Sequence, residues 1–181
     1  MSSFGADIRA LRKTRGLTLE ALAEQLDCSV GWLSQVERDI SKPGRDDLDR
    51  FANTLDVPLS LLAAKDTPPN EDGRIVRKSH HRSIGVRAEG LRELLLSPDL
   101  TDDFQVIHSV FEPGAARTDK VIRPTQELAY VLKGSLDIWL DDEAFTVFEG
   151  DSFRVRDQAL RWANPYDTAA VAIWVIAPPV Y

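Results

Sequence analysis

Cysteine, methionine and histidine are all scarce in this chain. Among 181 residues there is one cysteine, Cys28, one methionine, and three histidines, His80, His81 and His108. A single thiol excludes an intramolecular disulfide and cannot build a cysteine-rich zinc site by itself. The histidines are badly placed for a chelate, because His80 and His81 are neighbours, and adjacent residues on an extended strand point to opposite faces. No apolar run is long enough to cross a bilayer, and the first residues lack the hydrophobic stretch of a signal peptide. The expectation is a cytoplasmic protein with no membrane partner. Positive charge is also short, with a formal net charge of −7. A nucleic-acid partner usually demands a basic footprint. The deficit is uneven, however: residues 1–65 hold nine Lys/Arg against ten Asp/Glu, so the acidity sits mostly beyond them. Binding to DNA by the first part then requires its cations to gather on one face.

Apolar residues up to about Leu62 recur at three- and four-residue steps, the period of amphipathic helices. They run Ile8 and Leu11; Leu19, Leu22, Ala23 and Leu26; Leu33 and Val36; then Leu48, Phe51, Ala52 and Leu55. Thr18 and Ser29 stand where N-caps are needed, and Pro58 with Leu61 and Leu62 suggests a last short turn. From Ala64 the chain turns polar and rich in proline and acid, through Asp66-Thr67-Pro68-Pro69-Asn70-Glu71-Asp72-Gly73, as a linker does. Beyond it short apolar runs alternate with turn residues: Leu94–Leu96, Phe104–Phe111, Leu128–Leu132, Leu136–Leu140, Phe145–Phe148 and Ala169–Ile176. That spacing predicts an all-β sandwich or barrel. The expected organisation is a multidomain α + β chain, with a helical domain over 1–63, a linker over 64–73 and a β domain over 74–181.

Residues 18–38 read as a helix, a tight break at Asp27-Cys28 and a second helix, with small Ala23 where two helices cross closely. If Leu22, Leu26, Leu33 and Val36 supply the shared core, the opposite face of the second helix carries Val30, Gly31, Ser34 and Gln35. In a major groove, Gln35 can make a bidentate contact to an adenine edge and Val30 can touch a thymine methyl. Arg38, Lys42 and Arg45 follow as phosphate contacts. The pieces "LRKTRGLTLEALAEQLDCSVGWLSQVERDISKP" and "LDRFANTLDVPLSLL" resemble the XRE family of repressor-like helix-turn-helix domains across all five of its helices. The resemblance implies that Thr18 begins the helix crossing the DNA backbone, that Val30, Gly31 and Gln35 read bases, and that Ser29, Trp32 and Arg38 lie near phosphates. A five-helix bundle that binds protein, as in antitoxins, is the competing reading.

In the second half, "FEPGAARTDKVIRPTQELAYVLKGSLDIWLDDEAFTVFEGDSF" and "RWANP" resemble the cupin family and its double-stranded β-helix. Metal-dependent cupins converge imidazoles and a carboxylate on a transition metal. Here Glu127 supplies the carboxylate, but the positions of the first two histidines hold Val121 and Arg123, or Lys120 and Ile122, and the last falls on Leu160 or Arg161. A guanidinium does not lose its proton near neutrality and cannot ligate. Neither a metal nor another cofactor is therefore expected. The cavity residues to examine are Arg123, Glu127, Tyr130, Arg161 and Trp162, with the arginines suited to a carboxylate, phosphate or sulfonate. An internal Arg123–Glu127 pair is the alternative. Trp139 and Trp174 belong to a core or a subunit interface.

An XRE domain joined to a cupin implies a transcriptional regulator rather than an enzyme. Its partners would be a near-palindromic operator in double-stranded DNA, a second copy of the chain, since one recognition helix buries too little surface, and a small, anionic effector. A cupin isomerase or dioxygenase with a DNA-binding appendage, and an antitoxin-like protein binder, are the other two readings.

Overall fold

The computed structural model describes residues 3–62, 67–68 and 70–181. Residues 63–66 and 69, which include much of the expected linker, lie outside the described residues. The chain divides into two compact units, one made of residues up to Ile84 with Ser97–Asp102 and Tyr181, the other of Gly85–Leu96 and Asp103–Val180.

The first unit holds five helices: α1 (Phe4–Thr14), α2 (Leu19–Gln25), α3 (Val30–Glu37), α4 (Arg45–Thr54) and α5 (Leu59–Leu62). Side-chain caps set three of the starts, with the hydroxyls of Ser3, Thr18 and Ser29 accepting from the backbone N–H of Ala6, Ala21 and Trp32. Each satisfies one of the donors that a helix N-terminus leaves free. The breaks after α2, α3 and α4 turn on Asp27, Asp39 and Asp56 in the left-handed region, where aspartate takes the place usually given to glycine. Ile8, Leu11, Leu22, Leu33, Val36, Phe51, Leu55 and Leu61 are fully buried between the helices, whereas Leu48 is only half-buried. The compact unit extends past the helices because Asp7, buried on α1, accepts from Arg82 at 2.5 Å and from the N–H of Leu100 at 3.0 Å.

Gly5 marks the tightest approach in this unit. A Cβ built there would lie 2.3 Å from the carbonyl oxygen of Val36, so α1 crosses α3 at a distance only glycine permits. The atom in the way is backbone and cannot swing aside. Gly5→Ala is expected to cost about 1–3 kcal/mol, as overpacking does, despite alanine's better helix propensity. Urea denaturation followed by helical ellipticity measures it, and an unchanged or higher midpoint would refute the close crossing.

The second unit is built of antiparallel strands, and the short β1 (Arg82–Ser83) precedes them within the first unit. The strands are β2 (Leu91–Leu95), β3 (Gln105–Phe111), β4 (Ala116–Val121), β5 (Gln126–Lys133), β6 (Ser135–Leu140), β7 (Glu143–Phe148), β8 (Ser152–Arg156), β9 (Leu160–Ala163) and β10 (Ala170–Ala177). Within the second unit one sheet has the order β2-β3-β10-β5-β8 and the other β4-β9-β6-β7. Six of these strands match the apolar runs of the sequence. β1, β4, β8 and β9 do not appear there, because β1 has two residues, β4 is polar and mostly exposed, and β8 and β9 are short and contain no continuous apolar run. Between β5 and β6, Gly134 takes a positive φ, and a Cβ there would lie 2.9 Å from the carbonyl oxygen of Ala169, so no side chain fits.

Side chains alternate strictly between the two faces of the larger sheet. Ile107, Ser109 and Phe111 of β3, Glu127, Ala129 and Val131 of β5, and Ala172, Trp174 and Ile176 of β10 are buried on the inner face. Register places Trp174 opposite Ile107 and Ala129. The outer face carries His108 beside Leu94 and Ile173, and a row of exposed Leu128, Tyr130, Leu132 and Val175.

Candidate functional site

Two regions concentrate chemistry. On the helical unit, α3 buries Leu33 and Val36, packs Trp32 and Glu37 against neighbouring helices, and leaves one face outward. Val30, Gly31 and Gln35 are exposed on it, Ser34 is half-buried, and exposed Ser29, Arg38 and Lys42 flank it. The α3 frame is held from behind by Arg12, which donates through Nε and Nη2 to the two carboxylate oxygens of Glu37, at 2.6 and 3.0 Å, and through Nη1 to the carbonyl of Leu17. A fork-to-fork pair of this kind fixes orientation as well as distance. Gln35 is oriented too: the hydroxyl of Ser41 donates to its Oε1 at 2.8 Å, which leaves one lone pair and the whole amino group of the amide to bind elsewhere.

On the β unit, two adjoining cavities of about 40 and 20 Å³ open between the sheets. Arg87, Arg117 and Arg123 line them together with Glu93, Glu127 and Trp162, backed by Phe111 and Trp174. Arg123 lies 3.4 Å from Glu127, which also accepts from the hydroxyl of Thr125 at 2.8 Å. Arg87 sits 3.8 Å from Glu93 and donates to the carbonyl of Val180, while Arg117 donates to the carbonyl of Arg87 at 2.6 Å. Burial, and then the neighbouring Arg123, push both Arg87 and Arg117 below the ordinary guanidinium range. They remain cations at neutral pH all the same.

A helix-turn-helix domain model matches residues 3–64, and a cupin domain model matches residues 107–176. The chain joins a helix-turn-helix domain of the XRE type to a cupin domain. Among curated proteins it is similar to the immunity repressor protein of Bacillus phage phi105, 30% identical over 95 residues that make up 52% of this chain and 66% of that protein. It is also 40% identical over 58 residues, 32% of this chain, to the uncharacterized HTH-type transcriptional regulator Rv0474 of Mycobacterium tuberculosis, of which the match covers 41%. The chain thus spans less than two thirds of the length of these relatives. Among solved structures, KdgF from Halomonas sp. aligns with a TM-score of 0.50 at 20% identity, over 60% of this chain and 96% of that one, a likeness of fold alone.

Within the helix-turn-helix domain, Ser29, Val30, Gly31, Ser34, Gln35, Arg38 and Lys42 lie on or next to α3 and Thr18 caps α2, all exposed except Ser34. Trp32 is half-buried and stacks on Phe51 with ring centroids 6.1 Å apart, so its indole braces the helix as well as facing outward. Arg38 folds back to the carbonyl of Ser34 through Nε, leaving its terminal nitrogens unengaged by that bond. Arg45 opens α4 next to Asp46 and Asp47, acids that complement the helix dipole and offset its charge. Ser41, which orients Gln35, is a residue sequence reasoning passed over. Cys28 is half-buried, and burial pushes its thiol above the ordinary range, as suits a packing residue.

Within the cupin domain, three of the five expected cavity residues come together: Arg123, Glu127 and Trp162. Tyr130 and Arg161 do not, and strand alternation is the reason. Tyr130 is three positions from inward-facing Glu127 and emerges 46% exposed on the outer sheet face. Arg161 precedes inward-facing Trp162 and instead lies over the ring of Trp139, 5.4 Å from its centroid. Arg87, Glu93 and Arg117 take their places. Arg117 lay within the resembling segment, but Arg87 and Glu93 come from a stretch with no motif. A metal does not fit this cavity: only Glu93 and Glu127 can ligate, three guanidiniums crowd them, and among the described residues no group of three His, Cys, Asp or Glu could hold an ion. No helix among the described residues is long and apolar enough to cross a membrane.

Proposed function

We propose that this protein is a sequence-specific DNA-binding transcriptional regulator that acts as a homodimer in the cytoplasm, and that its cupin domain is a metal-free sensor of a small effector rather than an enzyme. The observation that carries the reading is the exposed outer face of α3, with Val30, Gly31 and Gln35 followed by the exposed cations Arg38 and Lys42. A major groove admits a helix of this kind, and a glutamine amide held by Ser41 presents donor and acceptor together, as an adenine edge requires. The phage relative, an immunity repressor by name, supports the same use of the helical half. Two copies are needed to bury enough surface for tight operator binding, and the exposed row of Leu128, Tyr130, Leu132 and Val175 is an apolar face suited to joining them. On the cupin side, a cavity ringed by guanidiniums supports binding of an anion. It supports no metal-dependent turnover.

The test begins by selecting an operator from randomised duplex DNA with the full chain, then measures its affinity and the affinity for unrelated DNA. Gln35→Ala is expected to weaken operator binding by about 1–3 kcal/mol and to leave unrelated DNA nearly unaffected. Arg38→Ala and Lys42→Ala should weaken both, each lowering the slope of log affinity against log salt by about one. Failure to enrich any sequence would overturn the reading, and equal losses on both DNAs for Gln35→Ala would remove it from the bases.

A further inference from the structure

The cupin cavity has an unbalanced set of charges and one carboxylate oxygen left over. Three guanidiniums, Arg87, Arg117 and Arg123, share the space with two carboxylates, Glu93 and Glu127, so among the lining residues the cations outnumber the anions by one. Oε1 of Glu127 accepts from both Thr125 and Arg123. Glu93 differs: it is 9% exposed, its Oε1 accepts from the hydroxyl of Ser109 at 3.0 Å, and its buried Oε2 has no hydrogen-bond partner, with Arg87 standing off at 3.8 Å. A buried carboxylate oxygen without a donor is costly, and buried polar atoms in folded proteins nearly always have one. The same cavity therefore lacks an anion on its arginine side and a donor on its Glu93 side.

We infer that the cavity binds a small carboxylate bearing a hydroxyl or amino group on the adjacent carbon, its carboxylate on Arg117 and Arg123 and its donor on Oε2 of Glu93. This assignment rests on the sensor reading above and names its ligand class. Size agrees. One water-sized group needs about 10–15 Å³ of such space, so the two adjoining cavities take about four or five heavy atoms, the size of a two-carbon hydroxy or amino acid and too little for a sugar phosphate or a nucleotide. Trp162, Phe111 and Trp174 form the wall and exclude water, which strengthens each polar contact inside. A plain carboxylate satisfies the arginines but leaves Glu93 stranded, and that difference is the basis of selection.

Acetate, glycolate and glycine are the probes, titrated calorimetrically into the full chain. Glycolate or glycine is expected to bind about tenfold or more tightly than acetate, the usual gain from a hydrogen bond to a charged acceptor. Which of the two wins tells whether the donor is hydroxyl or ammonium. In Glu93→Gln, which keeps the shape of the side chain, the preference over acetate should shrink to within about twofold. The wild-type comparison stands even if that variant misfolds. Equal binding of acetate and its two relatives, or no binding of any, overturns the inference. Operator affinity measured in parallel separates the failures: an intact operator complex with no acid bound defeats only this assignment, while an acid that binds without changing operator affinity defeats the sensor reading and leaves the site.

Discussion

Arg12→Ala or Glu37→Ala is expected to destabilise the helical unit by about 3–5 kcal/mol, the cost of stranding one member of a buried ion pair. The pair is well shielded, its side chains 12% and 7% exposed, and joins α1 to the end of α3 through two parallel hydrogen bonds. Loss of Arg12 leaves the carboxylate of Glu37 without its partner, and also frees the carbonyl of Leu17 in the turn that leads to α2. The double variant Arg12→Met, Glu37→Leu should recover much of the loss, because removing both charges removes the stranded one. Chemical denaturation followed by helical ellipticity measures all three, and a double-mutant cycle isolates the coupling. Single variants that lose less than about 1 kcal/mol would make this an ordinary surface pair.

The second large effect falls on Phe51. It is fully buried on α4, meets Phe4 edge-on with centroids 5.8 Å apart, and supports the stacked indole of Trp32 from α3. Phe51→Ala should cost about 3–5 kcal/mol, part of it lost transfer energy and part the cavity left behind. A functional consequence is expected on the proposed reading, because Trp32 sits on α3 beside Gly31 and one turn before Gln35 and loses its support. Operator binding is expected to weaken even at temperatures where the variant is folded, with a smaller effect on unrelated DNA. Ile40→Ala is the control, a large apolar residue 64% exposed, where a change within about 0.5 kcal/mol is expected. A Phe51→Ala protein that melts normally would show that the aromatic cluster bears little of the load.

What could be read in the sequence was whatever short-range periodicity and side-chain chemistry encode. The three-four spacing from Ile8 to Leu55 marks the buried stripes of the helices, and Thr18 and Ser29 cap α2 and α3 because a cap needs only a hydroxyl three residues before the N–H it accepts from. The exposed face of α3 follows from the same period. Gly5 carries no such signal: its role depends on a carbonyl 31 positions away.

The β half divides in the same manner. Its strongly alternating strands were legible, while the polar β4 and the short β8 and β9 form because neighbouring strands offer them hydrogen bonds, which no local pattern announces. Alternation also decides the cavity. Glu127 and Trp162 point inward, whereas Tyr130 and Arg161, equally attractive in the sequence, sit on the opposite parity of their strands; Arg123 reaches the cavity from the loop between β4 and β5. The sequence by itself determined that a helix-turn-helix of XRE type precedes a cupin and that the cupin's metal-ligand positions carry no histidine, because these depend on residue identity at fixed spacings. Only the tertiary structure decided which arginines share a cavity: Arg87 and Glu93 come from β2 and the loop before it, Arg117 from β4 and Arg123 from beyond it, and only the pairing of two sheets brings those charges within reach of one another.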